Sequence, residues 1–105
     1  MSGISTHILN AAAGKPAPNV RVRLFQSDRE VSSALTNQDG RCPALLPNGV
    51  ELTPGIYRIV FEVGPCFPDA FYPEVSVTFQ VRDGSSHYHV PLLISPFGYT
   101  TYRGS

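Results

Sequence analysis

Ten prolines and nine glycines are spread along the 105 residues and cut the chain into short intervals. Proline lacks the donor that a helix interior needs and clashes with the preceding turn. Glycine raises the cost of ordering any regular element that runs through it. A chain punctuated this way suits many short strands better than helices.

The intervals between breakers carry the two-residue alternation of half-buried strands. In the first, Ile4 to Asn10, Ile4, Thr6 and Ile8 fall on one face and Ser5, His7 and Leu9 on the other. In the second, Val20 to Phe25, Val20, Val22 and Leu24 point inward while Arg21 and Arg23 point to water. Glu30 to Thr36 is more polar and reads as an edge strand. Asp39-Gly40 is a turn that delivers Arg41 to a short segment, Cys42 to Leu46, interrupted by Pro43 and Pro47. Ile56 to Val63 places Tyr57, Ile59, Phe61 and Val63 on one face. Two prolines in Gly64 to Ala70 argue against a regular helix there. Glu74 to Arg82 alternates again, and a Ser95-Pro96-Phe97-Gly98 turn joins the two arms of a terminal hairpin. About eight strands with no helical period predict an all-β, antiparallel sandwich. The length predicts one domain, residues 1–105.

Charge narrows the partners. Eight basic residues balance eight acidic ones, and no block of Lys or Arg appears, so nucleic acid is not expected. No apolar run approaches a membrane span. The start, Met1 to His7, lacks a basic region followed by an apolar one, which predicts an intracellular, cytoplasmic protein with Cys42 and Cys66 as reduced thiols.

Few residues are equipped for chemistry. His7 reads either as a hydrogen-bonded, part-buried imidazole or as a general base. His87 and His89 are two apart on a strand and so point the same way. Such a pair is either structural or half of a metal site that would need His7 or Cys42 as a further ligand. Arg41 and Arg103 are either solvated turn and tail residues or fixed cations for a carbonyl or a urate-like ring. No Gly-x-Ser-x-Gly elbow and no Gly-rich phosphate loop are present.

One stretch is more specific than any of these motifs. His87-Tyr88-His89-Val90-Pro91-Leu92-Leu93 is followed, at the end of the chain, by Gly98-Tyr99-Thr100-Thr101-Tyr102-Arg103-Gly104-Ser105. This resembles the transthyretin-like 5-hydroxyisourate hydrolases, whose hallmark is a terminal Tyr-Arg-Gly-Ser. The similarity extends to Ser5 to Asn10, Gly14 to Ala17, Asp39-Gly40-Arg41, Gly55 to Arg58 and Phe71 to Glu74. It implies a transthyretin-like (prealbumin-like) Greek-key sandwich of two four-stranded sheets, usually with a short helix after the fifth strand. It implies hydrolysis of 5-hydroxyisourate to 2-oxo-4-hydroxy-4-carboxy-5-ureidoimidazoline in urate breakdown. The catalytic set it implies is His7, Arg41, His89 and Ser105, with His7, Arg41, Thr100, Tyr102, Arg103 and Gly104 binding substrate. No metal or organic cofactor is implied. The implied assembly is a homotetramer, a dimer of dimers with sites where the dimers meet. A hormone-like ligand carrier of the transthyretin type is the alternative role.

Overall fold

The computed structural model describes residues 3–104. Among them there are nine strands and no helix: β1 Gly3–Asn10, β2 Lys15–Pro16, β3 Arg21–Gln26, β4 Arg29–Leu35, β5 Arg41–Cys42, β6 Gly55–Glu62, β7 Val75–Val81, β8 His87–Ser95 and β9 Gly98–Thr101. No described helix is long and apolar enough to cross a membrane.

The strands form two sheets. One runs β4-β3-β6-β7, every pair antiparallel. The other runs β2-β1-β8-β9, with the two-residue β5 also paired to β1. The all-β sandwich is as the sequence predicts, with β4 at an edge, but two details differ. The second sheet holds five strands rather than four, and β1 and β8 run parallel, Gly3 opposite His87 through Asn10 opposite Ile94. The expected Cys42–Leu46 strand shrinks to Arg41–Cys42, because Pro43 has no N–H to continue the ladder.

Between Val63 and Ala70 the chain makes turns, not a helix. Cys66 and Phe67 amides donate to the Val63 carbonyl and the Ala70 amide to that of Phe67. The prolines at 65 and 68 remove the donors a longer helix would use.

The core lies between the sheets and is filled by the inward face of each strand. Ile4 and Ile8 of β1 and Val90, Leu92 and Ile94 of β8 meet Val22 and Leu24 of β3 and Tyr57, Ile59 and Phe61 of β6. Each fully buried side chain of this kind contributes about 1.5–3 kcal/mol relative to exposure. Polar atoms that alternation sends inward are satisfied. The Thr6 hydroxyl donates to the Val90 carbonyl. The Tyr88 hydroxyl accepts from the Arg82 and Asp83 amides and donates to the Asp83 carbonyl, which pins the turn into β8. With Tyr88 committed to the interior, His87 and His89 are left on the opposite face.

Candidate active site

The parallel register of β1 and β8 sets Ser5 opposite His89 and His7 opposite Pro91. Their inward neighbours are buried, so the odd-numbered residues of both strands share the outer face. There the Ser5 hydroxyl lies 2.8 Å from His87 Nε2 and 2.8 Å from His89 Nδ1. Ser5 is only 7% exposed, while His87 is open to solvent and His89 half-buried.

Arg41 reaches this face through a tightly built turn. Asn37 accepts the Asp39 and Arg41 amides on Oδ1, and its carbonyl accepts the Gly40 amide. The Gly40 carbonyl in turn accepts the Ile8 amide at 2.7 Å, docking the turn on β1. Gly40 has φ +75° and packs so closely that a Cβ would stand 2.5 Å from the Ile8 carbonyl oxygen. β5 then pairs with β1 so that Arg41 lies opposite His7 and Cys42 opposite Thr6. Cys42 therefore points into the core, and burial pushes its thiol above the ordinary range. It is a packing group rather than a nucleophile.

The end of the chain closes the site from the other side. The Gly104 amide donates to the His89 carbonyl at 2.8 Å in an isolated antiparallel bridge. A Cβ at Gly104 would lie 2.6 Å from His89 Cδ2. The imidazole is thus held between the Ser5 hydroxyl and the Gly104 backbone. Ser5, Thr6, Arg41, Pro43, His87 and His89 line an open cleft of about 410 Å³.

Partial burial holds His89 below the ordinary imidazole range. The charges of Arg41, His7 and His87 act in the same direction, and a contact with the Ser5 backbone opposes them. The protonated form of His89 is therefore disfavoured relative to a free imidazole.

The structure brings together Arg41, His89 and Gly104 of the expected set; His7 lies opposite Arg41 and Pro91 on the same face but does not line the cleft. Thr100 lies opposite Leu93 on β9 and is exposed, as is Tyr102. Arg103 is placed elsewhere. Its guanidinium sits 4.5 Å from the centre of the inward-facing Tyr88 ring, beside a separate cleft that Val77 and Phe79 also line. Ser105 lies outside the described residues. Ser5 is the site residue that reading for reactive side chains passes over. Its signal is positional, two residues from His7 on the face that carries the imidazole. A metal site built on His87 and His89 meets an obstacle, since the Ser5 hydroxyl stands between their nearest ring nitrogens. Among the described residues no three His, Cys, Asp or Glu side chains are grouped as ligands.

The chain belongs to the HIUase/Transthyretin family, whose sequence model matches residues 4–104. It is 44% identical over 110 residues to a 5-hydroxyisourate hydrolase of Salmonella dublin, covering 97% of this chain and 80% of the relative. The structure of Klebsiella pneumoniae 5-hydroxyisourate hydrolase superposes with a TM-score of 0.89 at 33% identity, covering 100% of each chain. Sea bream transthyretin, solved in complex with thyroxine, superposes with a TM-score of 0.83 at 27% identity, covering 96% of this chain and 93% of that one.

Proposed function

We propose that this protein is a hydrolase that opens the six-membered ring of 5-hydroxyisourate by adding water at a ring carbonyl carbon. The product is 2-oxo-4-hydroxy-4-carboxy-5-ureidoimidazoline. The observation that carries this reading is the half-buried His89, held between Ser5 and Gly104 beside Arg41.

The chemistry follows from the groups. His89 takes the proton of the attacking water, with His7 as a further imidazole of the same face. General-base help of this kind is worth about 10²–10⁴ in rate. Arg41 faces the oxygen that gains negative charge; one such donor is worth about 10²–10³. Thr100 and Ser105 position the ring from the tail, while Tyr102 lines the separate cleft beside Arg103. Arg103 contributes by stacking on Tyr88, which anchors the segment leading to Gly104. None of these steps calls for a metal or an organic cofactor.

Four of the six residues lining the cleft, Ser5, Arg41, His87 and His89, bring polar side chains to it, which suits a small ring rich in nitrogen and oxygen better than an apolar hormone. The same outer face carries Leu9 and Leu93, both part-exposed, next to the imidazoles. An apolar surface of this kind supports an oligomer, and we place the sites of a homotetramer, a dimer of dimers, where the dimers meet. Residues 1–105 act as one transthyretin-like domain. Free Cys42 and Cys66 fit an intracellular, cytoplasmic setting.

The test is turnover. 5-Hydroxyisourate is generated in situ from urate by urate oxidase, and its decay is followed with and without this protein. A hydrolase accelerates the decay. A carrier binds the ligand and leaves the decay rate unchanged.

A further inference from the structure

The Ser5 hydroxyl has one hydrogen and meets two ring nitrogens, each at 2.8 Å. It can donate to only one of them; the other must carry its own hydrogen and donate to Oγ. The tautomers of His87 and His89 are therefore tied together. When Ser5 donates to His87 Nε2, His89 donates from Nδ1 and keeps a free electron pair on Nε2. When Ser5 donates to His89 Nδ1, neutral His89 carries its hydrogen on Nε2 and has no basic nitrogen left to offer the cleft.

We propose that Ser5 is a positioning residue and His87 its acceptor, and that the pair holds His89 in the form whose Nε2 can accept a proton. The coupling does not depend on the substrate, but its catalytic consequence rests on the hydrolase reading above. A switch follows. Protonated His87 carries hydrogens on both nitrogens, so Ser5 must accept from it and turn its own hydrogen to His89 Nδ1. Protonation of solvent-exposed His87 thus disables the base without a proton reaching half-buried His89. The charged and titratable neighbours acting on His89 are Arg41 from β5, His7 from β1 and His87 itself.

The surroundings are built for this arrangement. Ser5 is almost fully buried. Gly3 leaves room for the His87 ring; a Cβ there would stand 3.2 Å from His87 Nδ1. Gly104 packs on His89 Cδ2, which restrains the ring from turning over.

The tautomers are read from imidazole ¹⁵N shifts of the full-length protein without substrate. At neutral pH His89 should carry its hydrogen on Nδ1, although free imidazole side chains prefer Nε2. Ser5→Ala should move it toward Nε2–H, and Ser5→Thr, which keeps the hydroxyl, should restore the wild-type pattern. His87→Lys, a donor only, should shift His89 to Nε2–H; His87→Gln, which can accept, should not. In turnover, His87→Lys should fall at least about tenfold below His87→Gln, and Ser5→Ala about tenfold or more below Ser5→Thr. Wild-type His89 with its hydrogen on Nε2, or a Ser5→Ala spectrum identical to wild type, overturns the proposal. The expected tautomers in a protein that does not consume 5-hydroxyisourate support the coupling and overturn the hydrolase reading instead.

Discussion

Gly104 stands against the edge of the His89 imidazole, with no room for a side chain between them: a Cβ there would be 2.6 Å from His89 Cδ2. The same residue donates its amide to the His89 carbonyl. The end of the chain therefore sets the position of a ring that β8 presents. Gly104→Ala should displace the imidazole while leaving the core intact. Displacements of about 1 Å at a reacting group can cost about 10² in rate. The expected result is a kcat/KM loss of about tenfold to a hundredfold with a melting temperature close to wild type.

Arg41 lowers the proton affinity of His89 from β5. In an NMR titration of the wild type, the His89 midpoint should lie below the ordinary imidazole value of 6.5. Partial burial is the larger cause and should persist in Arg41→Gln, while the guanidinium's share is lost. The midpoint should rise in that variant yet stay depressed.

The same shift has a consequence for stability. The unfolded chain binds a proton at this histidine near pH 6.5, and the folded protein only at lower pH. Above 6.5 both states are neutral and the group makes no proton-linked contribution. As pH falls from 6.5 toward the folded midpoint, the unfolded state binds more protons and stability declines. Denaturant melts across this window should show a smaller decline in His89→Gln than in the wild type.

Gly40 is placed where both backbone and space exclude a side chain. Its φ is +75°, and a Cβ would meet the Ile8 carbonyl oxygen at 2.5 Å. Gly40→Ala should destabilise the protein by about 1–3 kcal/mol, the range for overpacking a close contact. Activity should fall too, because the turn that shifts carries Arg41. Chemical denaturation and turnover on one preparation check both effects.

The two thiols differ in access. Cys66 is exposed and Cys42 is buried with its thiol held in the neutral form. A maleimide should label the native protein at Cys66 and reach Cys42 only on unfolding. Fast native labelling at Cys42 would contradict the inward orientation of β5.

Much of this architecture is legible in alternation. Ile4, Thr6 and Ile8 are buried as their spacing demands, as are Tyr57, Ile59, Phe61 and Val63. His87 and His89 share a face because a strand allows nothing else. What alternation leaves open is the neighbour, since the side-chain pattern of a strand is the same whichever strand it pairs with. The parallel pairing of β1 with β8 lies in that gap, and so does the role of Ser5, which exists only in that register. Arg103 shows a related limit. An arginine in a tail motif reads as a substrate cation, but its guanidinium stacks on Tyr88, whose inward direction depends on the whole sheet. The nature of the loop after β6 was written locally, in two prolines that remove helix donors.

His89 as the proton acceptor is the claim on which the site depends, and its removal is the most direct test. The decay of 5-hydroxyisourate made in situ should be accelerated by the wild type. In His89→Gln, kcat/KM should fall by about 10²–10⁴ while the melting temperature and β-sheet spectrum are retained. A folded His89→Gln protein that consumes the substrate as fast as the wild type would contradict the account.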